Sequence, residues 1–249
     1  MAAPTFIQEA ETVWNTSTSP KDSGNFTTQT SDVVVACQLM EDSDGIDDTI
    51  TATGTNVTLT SQQEVNVSSY TLIEISAGVV GAGGTTSVSF AKANDAFSLW
   101  FGGNALTFRD SDGIGASAKT NTTGAPSLSI TTTQDNSAIV VIVGDWNAAD
   151  GASRTWRTVN GIAPTAGNGY ELTYFRNASH YTVYAAYYSD AGAAGAKTVG
   201  LSDPSGQKYS IVALEIKGAA GGGGGDPEGE LIGGKLIGGG LLGRGVLVG

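Results

Sequence analysis

The chain has 249 residues, of which 40% are hydrophobic and only 14% are charged, while 29 are Thr and 23 are Ser. A surface rich in hydroxyl groups, without long stretches of the strong helix formers, excludes helix bundles and coiled coils and favours β-strands. The formal net charge of −12 excludes nucleic-acid binding, because that activity needs a basic face.

Strand-like segments rich in Val, Ile, Thr and aromatic residues run along most of the chain. The predicted strands cover residues 6–14, 32–40, 57–60, 65–77, 85–91, 96–101, 106–109, 127–133, 138–146, 155–159, 171–175, 181–188, 197–201 and 209–217. Val88 and Phe90 share one face of an alternating segment, which is typical of a strand with one solvated face. Residues 139–143 are apolar throughout and predict a central strand buried on both faces.

Short strands separated by Gly, Asp and Asn turns predict an all-β fold, an antiparallel β-sandwich or jelly roll, over residues 1–217. The aromatic residues suffice to fill one core between two sheets. Residues 218–227 are Gly-rich and predict a flexible linker, and residues 228–249 form a separate C-terminal tail.

The tail repeats an apolar pair every five residues, a spacing that fits neither collagen nor a coiled coil. Adjacent side chains of an extended chain point to opposite faces, so a lone ribbon buries neither side of itself. We therefore predict that the tail associates with copies of itself or with a partner. The predicted assembly residues are Leu231, Ile232, Leu236, Ile237, Leu241, Leu242, Val246, Leu247 and Val248.

Two residue types occur once each in the chain. Cys37 excludes an intrachain disulfide and lies in an apolar segment, which predicts a small buried side chain. His180 has no recognisable nucleophile motif beside it, so we expect a structural or surface histidine rather than a catalytic one.

Two acidic segments share the string Asp-Ser-Asp-Gly-Ile, at residues 42–46 and 110–114. Clustered carboxylates beside a glycine turn suit calcium, although neither segment has the complete EF-hand pattern. Solvated turns are the alternative interpretation, and no other cofactor is predicted. The calcium candidates are Glu41, Asp42, Asp44, Asp47 and Asp48 in the first segment and Asp110 and Asp112 in the second.

Trp146 and Trp156 flank a polar segment and are candidates for stacking on a glycan, with core packing as the alternative. A glycan-cleaving enzyme would need two carboxylates facing each other across a cleft. No motif singles out such a pair, and no catalytic residue is predicted.

Residues 181–218 read YTVYAAYYSDAGAAGAKTVGLSDPSGQKYSIVALEIKG. This stretch resembles the closing hairpins of β-sandwich domains in virion proteins of tailed bacteriophages, and residues 31–38 and 70–73 lie in the order that this pattern expects. The resemblance covers about residues 30–218. It implies a non-enzymatic virion component, either a minor tail or fibre protein or a capsid decoration protein, and it supplies no catalytic residues.

The sequence thus predicts a structural protein of a tailed-phage virion that is anchored or oligomerised through its C-terminal repeat. Its expected partners are copies of itself, as a trimer, and other capsid or tail proteins. The first residues lack the features of a signal peptide and no apolar run suits a transmembrane helix, so we expect synthesis in a host cytoplasm and no membrane insertion. A carbohydrate-binding adhesion module for a host surface glycan and a glycan-cleaving enzyme are the alternatives.

Overall fold

The computed structural model describes residues 2–11, 14, 16, 18–41, 49–67, 71–92, 100–145, 151–177 and 180–219. In this part of the chain the protein is all-β, with one 3-10 turn at Ala166–Asn168 and no helix long and apolar enough to cross a membrane. The strands β1 to β18 are, in chain order, Thr5–Glu11, Lys21–Asp22, Phe26–Thr28, Val33–Glu41, Ile50–Gly54, Thr60–Val67, Thr71–Val79, Gly84–Thr86, Val88–Lys92, Phe101–Arg109, Ser111–Thr123, Ser127–Thr132, Ala138–Asp145, Thr155–Trp156, Glu171–Arg176, Thr182–Tyr188, Gly195–Asp203 and Lys208–Gly218.

Two five-stranded antiparallel sheets form the middle of the fold. The first has the order β1-β10-β4-β7-β6 and the second the order β11-β18-β13-β16-β15. Smaller sheets accompany each of them, β2-β9-β5 and β3-β8 beside the first and β12-β17-β14 beside the second. Since each set comes from one continuous part of the chain, we call residues 2–109 half 1 and residues 111–219 half 2.

The two halves repeat one topology. Numbered within its own half, each large sheet has its strands in the order first, fifth, second, fourth, third. The small sheets correspond as well: Thr28 lies opposite Gly84 in half 1 and Thr132 opposite Gly195 in half 2. In both halves the threonine Oγ1 donates to the glycine carbonyl at 3.2 Å. The described fold is therefore an internal duplication.

The sheets stack as four layers, with the two large sheets inside, the two small sheets of half 1 covering the first and the small sheet of half 2 covering the second. Three hydrophobic cores result, instead of the one that composition predicted. The central core joins the halves and includes Leu39 and Ile142. The outer cores contain Phe90 in half 1 and Tyr209 in half 2. The prediction of a single core was wrong because it assumed two layers.

Covering both faces of each large sheet explains its continuously apolar strands. Every residue of β4 and of β13 is buried, so the prediction of a central strand at residues 139–143 is confirmed. Cys37 is fully buried in β4, as predicted, and burial raises the pKa of its thiol. Val88 and Phe90 are buried on one face of β9 with less buried neighbours between them, which is also the predicted pattern.

Several predicted boundaries differ from the structure. Residues 65–77 do not form one strand, since β6 and β7 are separate antiparallel partners. The second acidic segment is not a loop, because β11 begins at Ser111, although Asp110 and Gly113 have left-handed backbone conformations, with φ 55° and 85°. At the C-terminus, β18 includes Gly218, the first residue of the predicted linker, and the compact unit ends at Ala219.

Half 2 covers the outer edge of the half 1 sheet with side chains. Ser117, Lys119 and Asn121, alternate residues of β11, donate to the backbone carbonyls of Gln62, Glu64 and Asn66, alternate residues of β6, at 3.3, 2.8 and 2.6 Å. A free strand edge exposes unpaired backbone groups that promote aggregation. This ladder therefore protects the β6 edge while it fastens the two halves together.

The fold has two distinct ends. Ala2 bridges with Ala219 and the chain passes from half 1 to half 2 at Asp110, so we call this the proximal end. At the opposite, distal end, β4 ends at Glu41 and β13 ends at Asp145.

Candidate functional site

A cleft of about 410 Å³ lies between β5 and the outer face of β6 and β7, and we call it the glutamate cleft. It lies in half 1, and its lining combines hydroxyls, carboxylates and small apolar groups. The lining residues are Thr49, Ile50, Thr51, Ala52, Leu59, Ser61, Glu64, Glu74 and Ser76.

Strand register places the polar side chains in one row. Gln38 on β4 lies opposite Glu74 on β7, and Glu74 lies opposite Glu64 on β6. Directly paired residues of antiparallel strands point to the same face of the sheet. The row therefore faces the small sheet of half 1, in line with Leu72 and Met40, which belong to the outer core.

The two carboxylates of the row differ in their surroundings. Glu74 is 3% exposed and accepts hydrogen bonds from Gln38 Nε2 at 2.6 Å and from Ser76 Oγ at 2.8 Å. Glu64 is exposed, and among the described residues no side chain or backbone donor bonds its carboxylate. One carboxylate is thus fixed at the inner wall of the cleft, while the other stands at its mouth.

The paired carboxylates carry an electrostatic cost. Partial desolvation in the cleft raises the pKa of Glu64 although the residue is exposed overall, and the charge of Glu74 raises it further, while Lys119 opposes the increase. Like charges directly opposite each other on paired strands are destabilising. Acidic groups held in such a position within a cleft are a feature of ligand-binding sites.

The equivalent row of half 2 is mainly aromatic. Val143 lies opposite Tyr184, and Tyr184 lies opposite Tyr174, at the positions that Gln38, Glu74 and Glu64 hold in half 1. The two tyrosine rings lie 5.7 Å apart, and the Arg154 guanidinium lies 4.0 Å from the centre of the Tyr174 ring. The duplication has therefore diverged here, with bulky rings in half 2 where half 1 has a polar cleft.

Trp156, a predicted glycan contact, lies beside this filled region. It is 4% exposed, and its indole N–H donates to Glu171 Oε2 at 3.0 Å. Arg154 Nε donates to the other carboxylate oxygen of Glu171 at 2.7 Å. In this position Trp156 is a core residue, and its ring offers no open face to a sugar.

A second polar cluster joins the halves at the distal end. His180 Nδ1 and Glu41 Oε1 are 2.7 Å apart, with 27% and 11% of the two side chains exposed. Burial raises the pKa of Glu41, and the hydrogen bond and charge of His180 only partly offset that effect. Glu41, predicted as a calcium candidate, thus pairs with the one histidine of the chain, and the pair links half 1 to half 2.

The second acidic segment does not gather its carboxylates around one point. Asp110 accepts from Thr5 Oγ1 at 3.3 Å, whereas Asp112 lies in β11 and accepts from Gln134 Nε2 at 2.9 Å. Within the described ranges no group of three or more His, Cys, Asp or Glu side chains is placed to hold a metal ion. The calcium prediction gains no support at this segment.

The other predicted site residues lie outside the described residues. They are Asp42, Asp44, Asp47, Asp48 and Trp146, and the assembly residues Leu231, Ile232, Leu236, Ile237, Leu241, Leu242, Val246, Leu247 and Val248. The strands that precede the first acidic segment and Trp146 both end at the distal end of the fold.

Sequence reasoning missed the glutamate cleft because the duplication was not recognised. A signal exists in the spacing of Gly81-Ala-Gly-Gly84 and Gly192-Ala-Ala-Gly195, which precede equivalent strands of the two halves. Aligning the halves on these glycines would have indicated which strands correspond. The contrast between polar and aromatic side chains would then have become visible.

The chain matches no protein-family model, and no curated protein or solved structure is significantly similar to it.

Proposed function

We propose that the protein is a non-enzymatic structural component of a tailed-phage virion, either a surface-exposed capsid decoration protein or a minor tail or fibre protein. The repeated topology of the two halves is the observation that carries this proposal. In each half the chain passes back and forth between the large and the small sheet, which supports a jelly-roll assignment. Jelly rolls are common in viral capsid and lectin domains, so this support is an analogy of fold.

The small fraction of charged residues in the chain and the dense packing of the described residues also support a role as a structural scaffold. Three cores stabilise four layers of sheet, and the edge of β6 is covered by side chains from the other half. A protein that presents a rigid body on a particle benefits from such protection against unwanted strand pairing. The C-terminal repeat would then join copies as a trimer or attach the body to other virion proteins.

Light scattering of the full chain tests the assembly role of the tail. We expect a mass of three times the 25.2 kDa of one chain, and a lower mass for the full-length variant with Leu236→Asn and Ile237→Asn. The matched control replaces Val79, an exposed residue of the sandwich, with Asn. A full chain that is monomeric, or a mass that the tail substitutions leave unchanged, would contradict self-assembly through the repeat.

A further inference from the structure

We propose that the glutamate cleft binds a saccharide, with Glu64 and Glu74 accepting hydrogen bonds from sugar hydroxyls and Leu59 lying against the C–H face of the ring. The proposal is independent of how the tail assembles. It also differs from the predicted glycan contact, because neither Trp146 nor Trp156 lines the cleft.

The size of the cleft fits a small organic ligand. Its volume of about 410 Å³ lies within the range of small-molecule sites, roughly 300–1,000 Å³. A bare metal ion would occupy only a small part of this space. The volume therefore admits a small organic molecule such as a monosaccharide.

The chemistry of the lining fits a ligand that donates many hydrogen bonds and has an apolar face. Glu64 brings a carboxylate without a described hydrogen-bond partner, and Glu74 is held in place by Gln38 and Ser76. Each carboxylate oxygen has more than one acceptor position, so Glu74 retains capacity for a ligand hydroxyl. Leu59 and the hydroxyl of Ser61 complete an amphipathic wall.

The equivalent row of half 2 differs in chemistry from the row that lines the glutamate cleft. The same row is filled by Val143, Tyr184 and Tyr174 in half 2, so the fold accommodates a packed row without acidic groups at this place. Half 1 has acidic groups there despite the repulsion between them. A sequence that departs from the core pattern of its fold at a cost in stability is expected to do so at a functional site.

A cationic side chain or calcium would also satisfy two carboxylates. We favour a saccharide because both oxygens of Glu74 are already engaged by neutral donors and Lys119 lies near Glu64, which reduces the attraction for a further cation. The apolar part of the wall, including Ile50 and Leu59, contributes nothing to binding a bare ion.

The test uses the full-length protein and ligand-observed saturation-transfer NMR. The probes are the methyl glycosides of glucose, galactose, mannose, N-acetylglucosamine and rhamnose, each titrated to high millimolar concentration. We expect saturation transfer to at least one glycoside. Because hydrogen bonds to charged groups are strong, we expect about tenfold weaker binding for Glu64→Gln.

A second variant keeps the test decisive. Glu64→Tyr introduces the residue that half 2 has at the equivalent position and fills the mouth of the cleft, so it should abolish binding without altering buried Glu74. The matched control is Asp203→Asn, an exposed carboxylate on β17, which should bind as the wild type does. Thermal unfolding of each variant establishes that it is folded.

Three results would overturn the proposal. The first is that none of the five glycosides receives saturation transfer. The second is that Glu64→Tyr binds a glycoside as well as the control does, because the sugar then lies elsewhere. The third is that calcium or N-acetyl-arginine amide, and no glycoside, binds in a manner that depends on Glu64. None of these results bears on the mass of the assembled chain.

Discussion

Lys119 of half 2 donates from Nζ to the backbone carbonyl of Glu64 in half 1 at 2.8 Å. Two further side chains of β11 make the same kind of contact with β6, so a charged and polar ladder closes one side of the central core. A hydrogen bond from an exposed side chain usually contributes little to the stability of a fold. Here Lys119 both joins the two halves and covers a strand edge.

Removing donors of this ladder should weaken the fold. Lys119→Met keeps most of the side-chain volume but leaves the Glu64 carbonyl without its donor, and Asn121→Leu does the same for Asn66. We expect a combined loss of about 1–3 kcal/mol in the free energy of unfolding, measured by urea denaturation. The control is Lys197→Met on β17, which should change stability by less than about 0.5 kcal/mol. Equal losses in both proteins would mean that the ladder does not stabilise the fold.

Glu215 is a buried carboxylate that accepts five hydrogen bonds from described residues. It is 0% exposed and accepts from Ala116 N at 2.8 Å, from Thr133 N at 2.8 Å and from Ser137 Oγ at 2.7 Å. Glu215→Gln would direct an amide N–H at some of these donors, so we expect a loss of about 3 kcal/mol in the free energy of unfolding. Glu64→Gln is the control for removing a carboxylate that has no such bonds, and an equally small effect at both positions would contradict the prediction.

Acid should destabilise the fold through two buried carboxylates. Burial alone would raise the pKa of Glu215, but its hydrogen bonds from Ala116, Ser137 and Thr133 lower it below the ordinary 4.5. Burial would likewise raise the pKa of Asp32, but Arg109 and the Gln29 N–H lower it below 3.8.

Because both pKa values are lower in the folded state, their stabilising contribution is complete above the ordinary values and is lost as the pH falls through the lowered ones. We therefore expect the midpoint of thermal unfolding to fall steeply below about pH 4.5. Glu215→Gln should flatten this dependence, whereas a slope identical to that of the wild type would show that Glu215 does not contribute to it.

Gly78 and Gly81 provide a matched pair for a steric test. A Cβ on Gly78 would overlap the Thr58 carbonyl oxygen, which belongs to the backbone, whereas a Cβ on Gly81 would meet no atom within 4 Å. We expect Gly78→Ala to lose about 1–3 kcal/mol of stability and Gly81→Ala to lose little. Similar midpoints of chemical denaturation for the two variants would contradict the close approach of Thr58 to β7.

The shared central core predicts that both halves unfold together. Leu39 lies in this core and is fully buried, so Leu39→Ala should lose about 2–5 kcal/mol. Calorimetry should record one transition that shifts as a whole, and the indole N–H of Trp156, in the outer core of half 2, should report the same midpoint by NMR. Two transitions, of which only one responds to the substitution, would mean that the halves are independent.

The class of the fold followed from the sequence because strand periodicity is local. The apolar run at residues 139–143 and the alternation around Phe90 each contain their own evidence, and both predictions were confirmed. The number of layers did not follow, because it depends on which strands cover which sheet faces, and these strands are about a hundred residues apart in the sequence. The strand at Ser111–Thr123 was also missed, since its small and polar residues suit an edge strand that covers the β6 edge of half 1 and give little apolar signal.

The candidate site depended on the same non-local information. Glu64 and Glu74 are ten residues apart, the first just before and the second within a segment that was predicted as one strand, and only the register of β6 with β7 places them side by side. Trp156 shows the same dependence, since an isolated tryptophan beside a polar segment gives no indication of whether its ring is covered, and both a glycan contact and core packing were open interpretations. In both cases the decisive fact is a neighbour supplied by another strand.

Ribosomal synthesis makes half 1 before half 2, and the central core requires both. Half 1 is complete at Arg109, while its partner strands continue to Gly218. At the usual elongation rate of about 5–20 residues per second, the inner face of the half 1 sheet is without its cover for roughly 5–20 s on every nascent chain. Crowded polysomes therefore bring together nascent chains whose large sheets still have uncovered apolar inner faces. Pairing between such neighbouring chains is the misfolding route to which this duplicated architecture is most exposed.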